Sequence, residues 1–91
     1  MAKVIITAEV EDTAKWEEGF RTHGDLFSSQ TITTMVFGIG EGNEVALYSE
    51  VEDLDTWREI LETPATHEAM AFDGVKRETV KVFVLDKELD L

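Results

Sequence analysis

Apolar and polar positions alternate with period two over residues 3–10 (KVIITAEV), which puts Val4, Ile6, Ala8 and Val10 on one side of a strand. The period then lengthens. Asp12 or Thr13 can cap a helix, and from there to about Ser28 the residues Trp16, Phe20, His23 and Phe27 fall in one narrow stripe at 100° per residue. The pattern predicts a single helix. Residues 31–40 (TITTMVFGIG) are β-branched and aromatic and read as a strand; Glu41-Gly42-Asn43 turns the chain, and residues 44–51 (EVALYSEV) return as its hairpin partner. Asp53 caps a second helix that buries Leu54, Trp57, Ile60 and Leu61. Pro64 must break that helix, because it lacks an N–H donor and clashes with the preceding turn, and it pushes Thr63 out of the helical region. Helix resumes through residues 65–72 (ATHEAMAF), Gly74 closes it, and residues 75–86 (VKRETVKVFVLD) form the last strand.

The order is β-α-β-β-α-β. With right-handed crossovers it gives a four-stranded antiparallel sheet of order 4-1-3-2 with two helices on one face, the α+β ferredoxin-like fold, as one domain over residues 1–91. Strict alternation assigns Val4, Ile6, Ala8, Val45, Leu47, Val80, Val82 and Val84 to the helix side. The other side then carries Ile5, Thr7 and Glu9; Met35, Phe37 and Ile39; Ala46, Tyr48 and Glu50; and Lys81, Phe83 and Leu85. That face is too apolar to stand in water on a monomer. A second copy of the chain, packed over Met35, Phe37, Tyr48 and Phe83, is the economical cover and makes a homodimer the expected state.

Composition narrows the function. The apolar fraction of 43% supports a core, although a 91-residue domain buries only about 60–65% of its unfolded surface. There is no cysteine, so disulfides, thiolate metal sites and cysteine nucleophiles are excluded. Twenty acidic against eight basic residues give a formal charge of −12, which repels nucleic-acid phosphates. The acids are spread over predicted helix faces and the C-terminus, as a solvated surface requires. The N-terminal residues pass straight into a strand pattern without the apolar core of a signal peptide, and no apolar run is long enough to span a membrane. A cytoplasmic protein is expected, with no membrane and no nucleic acid among its partners.

The segments DTAKWEEGFRTH (12–23), EVEDLDTWREILETP (50–64) and THEAMAFDGV (66–75) resemble the dimeric α+β-barrel superfamily, which includes antibiotic-biosynthesis-monooxygenase-like domains. The resemblance spans nearly the whole chain. It implies a ferredoxin-like domain that dimerises through its sheet into an α+β barrel, with a cavity between helices and sheet. Activity is left open, since members include oxygenases, isomerases, cyclases and haem-degrading enzymes.

His23 is the foremost candidate for chemistry. Gly19 and Gly24 leave room beside it, and an imidazole in an apolar pocket can serve as general base toward an acidic C–H or O–H. The alternative is a core histidine bonded to a carbonyl or carboxylate. His67 offers a possible haem ligand by the resemblance, but the first strand supplies no asparagine and Trp57 lies on a helix, so the haem site is not matched. The two histidines fit no standard metal-ligand spacing. Glu9 and Glu50 fall near strand ends, at a wet rim. GIGEG (38–42) joins two strands, whereas a phosphate loop runs from strand to helix.

The sequence therefore reads as a small-molecule-binding homodimer acting on a hydrophobic or aromatic molecule without a cofactor or metal, by monooxygenation or proton transfer. His23 is the expected base, and Trp16, Phe20, Phe27, Trp57 and Tyr48 are the expected substrate contacts. The alternative is a non-catalytic ligand-binding or interaction protein. A second polar group converging on His23 would separate the two.

Overall fold

A computed structural model describes all residues, 1–91. The chain runs β1 (Ala2–Glu9), α1 (Thr13–Phe20), α2 (Gly24–Ser29), β2 (Ile32–Ile39), β3 (Glu44–Val51), α3 (Leu54–Leu61), α4 (Pro64–Phe72) and β4 (Lys81–Val84). The sheet order is β2-β3-β1-β4 and every pairing is antiparallel, which is the predicted ferredoxin-like topology read from the other edge. Local signals act where the sequence placed them. Asp12 accepts a hydrogen bond from the Lys15 N–H and Asp53 from the Thr56 N–H, each capping its helix. Thr63 caps α4 and Pro64 is its first residue, where the missing donor costs nothing. The proline therefore separates two helices, as expected.

Three expectations change. The first helical stretch is two helices. The carbonyl of Gly19 accepts from both the Thr22 N–H (2.9 Å) and the Thr22 hydroxyl (2.6 Å), which turns the chain so that His23 opens α2. The aromatic stripe survives the turn because Phe20 still reaches Phe27, with ring centroids 5.0 Å apart. The last strand is also shorter, since a 3₁₀ turn at Arg77–Thr79 takes up part of residues 75–86.

The third change concerns which face β2 presents. Ile32 pairs with Val51 but Thr34 pairs with Glu50, so β2 advances two residues while β3 advances one. This bulge shifts the alternation by one residue. Ile32 and then Met35 and Phe37 therefore all face the helices, and Phe37 lies edge-on to Trp16 (5.6 Å) and Phe20 (5.0 Å). Met35 and Phe37 do not belong to the outer face. Their place there is taken by Val36, opposite Tyr48, which stands opposite Ile5, which stands opposite Phe83. One apolar row thus crosses all four strands, with Val36 58% and Phe83 49% exposed.

On the helix side the core is in two pieces. Ala8, Val10, Trp16, Phe20 and Val45 pack as one cluster; Val4, Val51, Trp57 and Leu61 as another. The β2 bulge makes a direct test possible. Phe37→Ala should cost about 2 kcal/mol, a fall in Tm of roughly 8–16 °C, while Val36→Ala should shift it by less than about 4 °C. Thermal denaturation followed by circular dichroism ranks the two, and the opposite ranking would restore unbroken alternation in β2.

Candidate functional site

Between the two core clusters lies a cavity of ≈ 80 Å³. Trp16, Phe20 and Ala8 line it from one cluster, Trp57 and Leu61 from the other, and 16 of its 21 lining residues are hydrophobic. His23, Phe27 and Met35 also reach it. At about half the ~150 Å³ of an apolar cavity that holds benzene, it takes a ring only if flexible walls such as Met35 and Met70 yield.

The polar group that converges on His23 is Asp73. Its Oδ2 lies 2.8 Å from His23 Nε2, across fifty residues of chain. The Asp73 side chain is only 4% exposed and that of His23 19%. The other carboxylate oxygen, Oδ1, is buried and has no hydrogen-bond partner in the protein. Burial pushes the Asp73 carboxyl above its ordinary value of 3.8, and His23 pulls it back in part, through its charge and its hydrogen bond.

Local structure explains the placement. The α1–α2 turn swings His23 inward, and His23 then stands edge-on to Phe27 at 6.3 Å. Asp73 is the C-cap of α4, with Gly74 after it in the left-handed conformation (φ 76°). Gly19 is the floor beneath the carboxyl: a methyl group there would overlap Asp73 Oδ1 and come within 3.0 Å of its Cγ. No larger residue fits while the pair is intact.

When Asp73 is ionised, Nε2 carries the proton and donates it to Oδ2. That leaves Nδ1 with the ring's free lone pair, the tautomer of a general base. The orphan Oδ1 is a ready acceptor for a ligand O–H or N–H.

Of the residues the sequence singled out, His23, Trp16, Phe20, Phe27 and Trp57 all border this cavity. Tyr48 does not. Its alternation on β3 puts it on the outer face, in a shallow depression with Ile5 and Val36, so it is not a wall of this pocket. His67 lies 3.9 Å from the Glu62 carboxylate, away from the cavity. Asp73 was missed because it reads as the end of a helix. One signal was available: a carboxylate at a helix C-terminus meets the negative end of the dipole, a local conflict of the kind that marks functional positions.

No protein-family model matches the chain, and none of the curated proteins does. Solved structures do. A Bordetella bronchiseptica protein provisionally assigned as an antibiotic biosynthesis monooxygenase superposes with a TM-score of 0.75 at 16% identity, covering 97% of each chain. SnoaB, a cofactor-independent oxygenase from Streptomyces nogalater, gives 0.71 at 16% identity, covering 99% of this chain and 95% of its own. At3g17210 from Arabidopsis thaliana gives 0.69 at 17%, covering both chains fully. The chain has the ferredoxin-like α+β fold of these proteins, and at such identities the likeness shows the fold. No helix is long and apolar enough to cross a membrane.

The raised carboxyl has a measurable sign. The folded protein holds the Asp73 proton more tightly than the unfolded chain does. The stability this contributes is full below about pH 3.8 and is lost as pH rises through the folded value. Asp73→Asn removes the titration but keeps an acceptor for His23 and the same net-charge background otherwise. The Tm of Asp73→Asn relative to wild type should therefore climb as pH is raised from 3 and level off once Asp73 is ionised. A difference independent of pH would show that burial does not act on this carboxyl.

Proposed function

We propose that the protein binds a hydrophobic, aromatic-type small molecule in the helix–sheet cavity and removes a proton from it, with His23 as base and Asp73 as its orienting partner. The observation that carries this reading is the buried His23–Asp73 contact at the wall of an apolar cavity. A carboxylate buried only to stabilise the fold is a poor choice, since an apolar pair of the same size does as well or better. Placed against an imidazole, it fixes the ring's tautomer and stabilises the imidazolium that forms as a proton is taken.

Proton removal from an acidic C–H beside a carbonyl gives an enolate. An enolate can be reprotonated elsewhere, which is isomerisation, or can give an electron to dioxygen, which opens a cofactor-independent oxygenation. The description of SnoaB as a cofactor-independent oxygenase, on a protein of the same fold, supports the second course. The apolar walls from Trp16, Phe20 and Trp57 exclude water and strengthen the His23–Asp73 interaction.

2-Tetralone, an aromatic ketone with acidic α-hydrogens, serves as a probe. Wild type should accelerate exchange of its α-hydrogens with deuterium in NMR, and His23→Gln, which can still donate to Asp73, should lose about 10²-fold or more of that acceleration. An oxygen electrode on the same mixture separates oxygenation from isomerisation. Binding of the probe with no acceleration by wild type would favour the non-catalytic ligand-binding alternative.

The outer face of the sheet supports a homodimer. The row Val36, Tyr48, Ile5 and Phe83 is continuous across four strands, and a self-complementary packing of two such rows buries it. Sedimentation at micromolar concentration should give twice the 10.3 kDa chain mass, and Val36→Glu or Phe83→Glu should shift the protein to monomer. A wild-type monomer would remove the second copy from this reading.

A further inference from the structure

The cavity has a second polar end. Gln30 and Ser49 both border it and are both only 4% exposed. Neither the Gln30 amide nor the Ser49 hydroxyl is paired with another side chain or carbonyl, and each keeps a little accessible surface, whereas Asp73 Oδ1 is the one fully buried orphan. Ser49 breaks the pattern of its own row: on the helix side of the sheet it stands between Met35 and Val4, with Val84 beyond, and is the one polar residue among them.

Gln30 is held at its place. The residue after it, Thr31, has φ 62°, a left-handed conformation that β-branched residues rarely adopt. It is fixed there by its carbonyl, which accepts from the Glu52 N–H at 3.0 Å, and by its hydroxyl, which accepts from the Asp53 N–H at 3.1 Å.

The register separates this end from the His23–Asp73 end. Val75, two residues past Asp73, bridges to Val10 just beyond the C-terminal end of β1, where Ala8 pairs with Val45. Ser49 lies four residues along β3 from Val45, and Gln30 lies just ahead of Ile32, which pairs with Val51. At about 3.3 Å per residue the two polar ends are roughly 13 Å apart. A cavity of ≈ 80 Å³ reaching between them is narrow. Its lining includes no lysine or arginine, and its one charged acceptor is Asp73.

We infer that Gln30 and Ser49 form a second binding subsite that receives a neutral hydroxyl or carbonyl at the far end of an elongated apolar ligand whose near end donates an O–H to Asp73 Oδ1. The inference rests on the pocket reading above and adds the ligand's shape and charge. An amide and a hydroxyl offer both donors and an acceptor, so either a hydroxyl or a carbonyl is satisfied there. A carboxylate is disfavoured at both ends: it meets no cation, and at one end it meets Asp73.

Three eight-carbon probes test it: 1,8-octanediol, 1-octanol and octanoate, titrated into the full chain at pH 8 and followed by ¹H–¹⁵N NMR shifts. The diol should bind about 3–10-fold more tightly than 1-octanol, with octanoate weakest, and should move the Gln30 and Ser49 amides. In Ser49→Ala and in Gln30→Met, each checked for an unchanged fold by its NMR spectrum, the diol's advantage should shrink toward onefold while 1-octanol binding holds. Equal binding of diol and 1-octanol, an advantage that persists in both variants, or octanoate binding best would each overturn the subsite and leave the pocket standing. Failure of all three probes to perturb any cavity residue would overturn the pocket reading itself, and the subsite with it.

Discussion

A carboxylate placed at the wrong end of a helix, out of water, and held there by one imidazole sets most of the local architecture. Asp73 caps α4 where the dipole opposes its charge, and its side chain is buried with one oxygen unmatched. Everything near it is arranged to tolerate that. Gly19 has no side chain because the carboxyl occupies the space where one would be. Gly74 takes the left-handed conformation that lets α4 stop at Asp73, a backbone state in which a side chain would be strained. The α1–α2 turn interrupts what would otherwise be one helix, so that His23 faces Asp73 from a helix start. Removing the imidazole would leave a buried carboxyl without its only partner, which is among the costlier single changes a small domain can suffer.

The same region explains why the core is divided. A ferredoxin-like domain of this size usually has one contiguous core beneath its helices. Here Trp16 anchors one cluster and Trp57 another, and the cavity lies between them. A chain of 91 residues has little stability to spare, so a gap between two half-cores is a cost. The cost falls where the polar groups of the pocket also lie. Packing defect and orphan carboxylate oxygen coincide in one volume, which the Gln30 amide and the Ser49 hydroxyl also border, and the binding site we propose occupies that volume.

Much of this was legible in the chain. Period-two and period-3.6 patterns, the caps at Asp12 and Asp53 and the break at Pro64 gave the element order, and the order gave the sheet. Trp16, Phe20, Phe27 and Trp57 were readable as one pocket's walls because each is apolar, large and on a helix face. What was not legible depended on register or on distance along the chain. The extra residue at Thr33–Thr34 leaves no mark in a β-branched run, yet it turns Met35 and Phe37 from the outer face to the inner one. Tyr48 is a different case: alternation along β3 already set it on the outer face, and naming it as a contact for the helix-side pocket conflicted with that alternation.

Asp73 and Ser49 show the deeper limit. Each is a polar residue inside an otherwise consistent element, and each looks ordinary beside a turn or among strand residues. What sets them apart is their surroundings: Oδ1 has no partner, and the Ser49 hydroxyl stands in an otherwise apolar row. Hydrophobic periodicity records what a fold buries with profit. It is silent about what a fold buries at a loss. The two positions stand at opposite ends of one cavity because the topology joins them there, not because any segment of sequence does. A site assembled in this way is read from the sheet register first, and only then from its residues.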